Sequence, residues 1–261
     1  MKSKKTVLQV VPVKPDQGLR SALLQLKNQF GACGLKLSTE DAAMSIEQIG
    51  YWAEVDILPA TVKIGGPNAR NDIKQLLPMN IDGLIAPMVE SPYGLENFIF
   101  AVGDFTTPMQ FERLKKQINI ETETAVRQLD SILLDPEAKY IDEITIGCSD
   151  LSGSMKKSRW DASFMAQVVE VVKKIQRKNI PVSVGGGISP QTIDGFLEQV
   201  RPDKFNTRVI TFKVEPGRDY REAVQSALRF EILMLEHDSS RKFISRDEEK
   251  FRIKELKKRM K

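Results

Sequence analysis

The sequence predicts an α/β protein, a single (β/α)8 TIM barrel with an additional C-terminal helix. Three observations predict it. Short β-rich runs alternate with longer amphipathic runs along the chain. The alternation repeats eight times within 261 residues, close to the usual size of such a barrel. The turn after the first run, Val11-Pro12-Val13-Lys14-Pro15, holds no glycine, which argues against the dinucleotide loop of a doubly wound open sheet. Because parallel neighbours need a crossover, repeated βα units imply a parallel sheet.

The first strand is expected over Thr6 to Val11, followed by a helix carrying Leu19, Leu23, Leu24, Leu26 and Phe30 at helical spacing. Gly34 to Ser38 is the second strand, with a helix marked by Ile46, Ile49, Tyr51 and Trp52. Ala60 to Ile64 is the third, stopped by Gly65-Gly66-Pro67, and its helix runs through Ile73, Leu76 and Leu77. Gly83 to Pro87 and Lys116 to Glu121 are the fourth and fifth, each followed by an apolar helical stripe. Glu143 to Gly147 is the sixth, and Phe164, Val168, Val171, Val172 and Ile175 line one helix face after it. Ile180 to Val184 is the seventh, ended by Gly185-Gly186-Gly187, with a helix around Ile193 and Phe196. Arg208 to Phe212 is the last strand, and Tyr220 to Leu235 the last helix of the barrel. The barrel thus occupies residues 1–236, and 237–261 form a basic helical extension. Ser245-Arg246-Asp247-Glu248 opens its helix with a capping-box pattern. That helix has a thin apolar side, which suits either a contact with a neighbouring subunit or a frayed tail.

Bulk properties narrow the function. The formal net charge is +4, and much of the excess lies in the last twenty residues. No nucleic-acid motif accompanies the basic tail, so no nucleic-acid partner is expected. No apolar run is long enough to span a bilayer, and the stretch after the basic N-terminus is too short for a secretory signal, so no membrane partner is expected. Two cysteines, Cys33 and Cys148, make no disulfide framework and fit a reducing cytoplasm.

In a barrel the chemistry belongs at the C-terminal ends of the strands. The polar residues expected there are Ser38, Glu40, Asp41, Lys63, Glu90, Glu121, Ser149 and Asp150. The single histidine, His237, lies beyond the last barrel helix, which excludes a histidine triad or a histidine-rich metal site. A metal here would be held by oxygen, which points to Mg2+ or Mn2+ rather than zinc. Glu121 and Asp150, at adjacent strand ends, suit such an ion; Asp150 also suits a helix N-cap.

Ile118-Asn119-Ile120-Glu121-Thr122 followed by Ile146-Gly147-Cys148-Ser149-Asp150-Leu151-Ser152 resembles the paired signature of the HpcH/HpaI aldolase and citrate lyase β-subunit family. Thr61 to Gly66, Ile73 to Leu77 and Ala86 to Ser91 resemble the same family in the same order. The resemblance implies a homotrimeric or hexameric carbon–carbon lyase acting through an enolate of a pyruvate-like 2-oxo acid or an acyl ester. It implies Glu121 and Asp150 as ligands of Mg2+ or Mn2+, and Ser149, Asp150, Gly65 and Gly66 as substrate-binding positions.

Two departures from the family matter. Lys63 stands where the family has an arginine beside the enolate oxygen, and it lacks the arginine fork. Arg70 is a weaker substitute, and a Schiff-base role for Lys63 competes with a metal. Ser38-Thr39-Glu40-Asp41 replaces the aldolase histidine, so Glu40 or Asp41 becomes the expected acid/base if burial raises its pKa. The competing role is an Asp41 helix cap with Glu40 paired to Lys63 or Lys36. The Gly185 loop suits a phosphate, or simply a tight turn. Cys148 has no histidine partner and is expected to be structural. Two alternatives stand beside the lyase: a non-catalytic barrel subunit, and a metal-free phosphate-binding barrel enzyme.

Overall fold

A computed structural model describes residues 17–261. The strand expected at Thr6 to Val11 lies outside the described residues. Eight strands close into one barrel in the order β1-β2-β3-β4-β5-β6-β7-β8. They are β1 (Ala32–Ser38), β2 (Ala60–Lys63), β3 (Gly83–Ala86), β4 (Lys115–Ile120), β5 (Glu143–Gly147), β6 (Val182–Gly185), β7 (Lys204–Asn206) and β8 (Ile210–Lys213).

Neighbours from β1 to β7 pair in parallel, as crossovers require. The last strand departs from the expected all-parallel sheet: β8 runs antiparallel to both β7 and β1. The cause is local. Only Thr207, Arg208 and Val209 separate β7 from β8, far fewer residues than a parallel crossover needs. Thr207 closes the turn through its own amide to the Ile210 carbonyl at 2.9 Å. The run read as one strand from Arg208 is therefore the turn and second arm of a hairpin, whose first arm, β7, is a strand that the sequence pattern missed.

Helices surround the barrel. They are α1 (Gln17–Phe30), α2 (Ile46–Ala53), α3 (Arg70–Leu76), α4 (Pro92–Gly103), α5 (Pro108–Arg113), α6 (Glu123–Arg127), α7 (Leu129–Leu134), α8 (Cys148–Ser154), α9 (Ala162–Gln176), α10 (Ile193–Val200), α11 (Arg221–Ser240) and α12 (Arg246–Arg259). The apolar stripe of α9 is buried as expected, and Asp161 caps it by accepting from the Ser163 and Phe164 amides. Leucines, valines and isoleucines on the outward strand faces, such as Leu35, Leu37, Val62, Ile118 and Ile144, form the core with these helices. No helix among the described residues is long and apolar enough to cross a membrane.

The C-terminal segment packs differently from expectation. α11 runs on to Ser240, so the expected boundary at 236/237 falls inside a helix. α12, capped at its start by Ser245, is not frayed: it packs on α11 and buries Leu256. His237 lies in the last turn of α11, with its Nε2 2.7 Å from the Tyr51 hydroxyl.

α2 and α11 are joined by a buried polar knot. Trp52 Nε1 and Gln48 Nε2 donate to the two Asp238 oxygens at 2.9 and 2.7 Å. Burial outweighs these bonds and the nearby Arg252 and Arg241 charges, and lifts the Asp238 carboxyl to about 6. A carboxyl raised in the folded state favours the fold below its unfolded value, and that contribution fades as pH climbs through the folded value. Relative to Asp238→Asn, the wild type should lose on the order of 3 kcal/mol of stability between pH 4 and 7. Urea unfolding at stepped pH measures this, and parallel curves for the two proteins would contradict it.

Candidate active site

The parallel strands end together on one face, and there they surround a cavity of about 360 Å3. Its lining includes Glu40, Asp41, Lys63, Glu121, Ser149 and Asp150, so the carboxylates and the lysine expected at strand ends meet in one mouth. Gly65 and Gly66 are absent from that lining. The reason is the turn after β2: Asp72 accepts from the Gly65 amide at 3.0 Å and from the Thr39 hydroxyl at 2.6 Å, which ties the loop to α3. Arg70 is likewise turned away and pairs with Asp104. Glu90 accepts from the Thr122 hydroxyl at 2.6 Å.

Glu121 follows β4 and is 1% exposed. Its Oε1 accepts from the Met88 amide at 3.0 Å and its Oε2 from Asn119 Nδ2 at 3.1 Å. Met88 reaches it from a left-handed conformation (φ 54°) that costs a non-glycine residue free energy. Burial pushes the Glu121 carboxyl above the usual range, and the Asp150 charge adds to that push; Lys63 and the two hydrogen bonds oppose it. The passage for Glu121 exists because residue 147 is glycine: a Cβ there would lie 2.5 Å from Glu121 Oε2.

Asp150 sits in the first turn of α8, whose N-cap is Gly147 with no side-chain cap. The N-cap reading of Asp150 therefore fails, and its carboxylate is left for the mouth. Ser149 packs beside the glycine loop after β6, where a Cβ on Gly186 would come 2.5 Å from the Ser149 amide nitrogen. Cys148 faces away from this chemistry, with burial pushing its thiol up to about 12.

Lys63 ends β2, and its Nζ is 2.7 Å from Glu40 Oε2. Burial alone would lower its pKa; the Glu40 hydrogen bond and the charges of Glu121 and Asp41 reverse this and hold it above the ordinary value. The Glu40 ion pair thus favours Lys63 as an ammonium, which runs against the Schiff-base role. Asp41 also corrects an expectation. Burial pulls its pKa up, but the Ser38 hydrogen bond and the charges of Lys63, Lys36 and Arg208 win and hold the carboxyl below its ordinary value. Nor does Asp41 cap α2, since Ser45 does.

The sequence reading missed several lining residues: Lys36, Asn119, Thr145, Asn206, Thr207, Arg208 and Arg259. Lys36 shares the inward parity of Ser38 on β1, a signal that alternation alone carries. Burial, with Asp41 opposing and Lys63 adding, lowers its pKa. Beneath the mouth the barrel is filled by a polar layer rather than the usual branched apolar one. Thr145 and Ser183 hydroxyls are 2.8 Å apart, Asn206 Nδ2 donates to Ser183 at 3.0 Å, and Thr211 donates to Asn206 Oδ1 at 2.6 Å.

One feature fits a hard cation at Glu121 and Asp150: the buried Asn119 Oδ1 beside Glu121 has no hydrogen-bond partner. Among the described residues no cluster of three or more His, Cys, Asp or Glu forms a full protein cage. A Mg2+-type site needs no such cage, since that ion draws its other oxygens from water and substrate.

By sequence, no family model and no curated protein matches the chain. Solved structures that share the fold include a HpcH/HpaI aldolase/citrate lyase family protein from Burkholderia cenocepacia J2315. It superposes with TM-score 0.56 at 14% identity, over 69% of this chain and 80% of its own. The HpcH/HpaI aldolase from Desulfitobacterium hafniense DCB-2 gives TM-score 0.56 at 16% identity, over 70% and 79%. The citrate synthase SbnG gives 0.55 at 16% identity, over 80% and 96%. At these identities the likeness is one of fold.

Proposed function

We propose that the chain is a metal-dependent carbon–carbon lyase of the HpcH/HpaI aldolase and citrate lyase type, acting on a pyruvate-like 2-oxo acid or an acyl ester. The observation that carries this reading is the convergence of Glu121, Asp150 and the Lys63 ammonium on one barrel mouth. The shared fold with solved aldolases supports it.

Glu121 and Asp150 would hold Mg2+ or Mn2+, which supplies Lewis-acid stabilisation of an enolate oxygen. Lys63 adds a second positive charge, fixed by Glu40 rather than free to swing. When the bond beyond the oxo carbon breaks, its electron pair moves toward that oxygen, and a preorganised cation lowers the barrier. The amides of Ser149 and Asp150 lie in the first turn of α8, where N–H groups lack helical acceptors and can receive a carboxylate. Glu40 is the group assigned to proton transfer. Asp41, held ionised, balances the charge of Lys36, Lys63 and Arg208.

The site-level readout is exchange of pyruvate methyl protons in D2O, followed by proton NMR. Wild type with Mg2+ should exchange them, and chelator or Asp150→Asn should stop the exchange. Exchange that persists in excess chelator would remove the metal, and a wild type that never exchanges would favour the non-catalytic barrel.

A further inference from the structure

We propose that Arg208 and Arg259 form an anion subsite in the same mouth. The substrate would then carry a second anionic group, phosphate or carboxylate, beyond the bond that breaks. Identifying the ligand as part of that substrate rests on the lyase reading; the anion subsite itself does not.

Arg259 is the last residue of α12 and Arg208 lies in the β7–β8 turn, yet both line the cavity with Glu121 and Asp150. Each is anchored through one Nη to a backbone carbonyl: Arg208 to Asp41 at 2.8 Å, Arg259 to Ile188 at 2.8 Å. A carbonyl anchor positions a guanidinium without neutralising it. The carboxylates near Arg208 are Asp41 and Glu231, both 3.9 Å from its Nε, beyond hydrogen-bond reach.

Long ion pairs from Asp41 and Glu231 offset part of the Arg208 charge, but hydrogen bonds to both guanidiniums stay incomplete. The buried Nε atoms of Arg208 and Arg259 have no hydrogen-bond partner, nor do the two carboxylate oxygens of the buried Glu231. Arg159 brings a further guanidinium close by, donating to the Gly186 carbonyl at 2.6 Å. Burial lowers the Arg259 pKa, the Glu231 charge opposes this, and Arg208 and Arg159 deepen it. The glycine loop therefore acts through its carbonyls, which hold arginines, rather than through amides that grip a phosphate. Two anchored guanidiniums at the edge of a cavity suit charge-assisted recognition of phosphate or carboxylate oxygens.

The test is calorimetric titration of inorganic phosphate, and separately of malonate, into the full chain with and without Mn2+ and oxalate. Wild type should bind one of these anions alongside oxalate. Arg259→Gln and Arg208→Gln should each weaken it at least tenfold, leave Mn2+-oxalate affinity within twofold, and melt cooperatively. Arg259→Lys, which keeps the charge but not the fork, should fall between. Tighter phosphate assigns a phosphorylated substrate and tighter malonate a carboxylate. Anion binding that ignores Arg259, or that oxalate displaces one for one, overturns the subsite. Loss of Mn2+-oxalate binding with Arg259-dependent phosphate binding intact would instead sink the lyase reading alone.

Discussion

Glu121→Gln is expected to reduce metal-supported turnover by about 10^3-fold or more, while the metal-free protein melts at the same temperature or higher. The two effects have one origin. Glu121 is a buried carboxylate whose pKa is raised by burial and by Asp150, so at neutral pH its ionised form opposes folding. The amide removes that cost and keeps an acceptor for the Met88 amide. Asn119 can turn its unpartnered Oδ1 toward the new amide. What is lost is the anionic ligand, and with it the stabilisation of charge that develops in the transition state. Steady-state assays with Mg2+ and thermal melts without it test both halves. A variant that stays active, or that unfolds readily without metal, would contradict the assignment. Sites that sacrifice stability for function behave in this way.

Gly147→Ala is expected to weaken Mn2+ binding at least tenfold and to cost about 1–3 kcal/mol of stability, the range for overpacking a filled interior. Gly147 has φ −83° and ψ 82°, so the backbone does not demand glycine there. The demand comes from Glu121, whose Oε2 and Cβ would lie 2.5 and 2.7 Å from an added Cβ. The methyl must push the carboxylate out of line with Asp150. Mn2+ titration and denaturant unfolding measure the two consequences, and an alanine variant with native affinity would show that Glu121 has room to spare.

Much of this was legible in the sequence, for identifiable reasons. The runs at β1 to β6 are short and separated by turn formers and amphipathic helical stretches, and β2, β4, β5 and β6 each carry two or three β-branched residues, so their period was plain. Once the strands were placed, the strand-end rule brought Glu121, Asp150, Lys63, Glu40, Asp41 and Ser149 to one face. The closing hairpin was not legible, because β7 has three residues and no glycine marks its turn. Gly65 and Gly66 were misplaced because the Asp72 side chain, seven residues on from Gly65, decides where that loop goes. Arg259 could not have been found locally. Its helix has few apolar residues, and only the packing of α12 on α11 brings the end of the chain to the mouth.

The most direct measurement of the central claim is anomalous diffraction from crystals soaked in Mn2+. The account predicts one strong peak within about 2.2 Å of a carboxylate oxygen from both Glu121 and Asp150, the distance hard cations keep to oxygen. A soaked crystal with no peak between those two side chains, or with its only peak bound elsewhere, would contradict it.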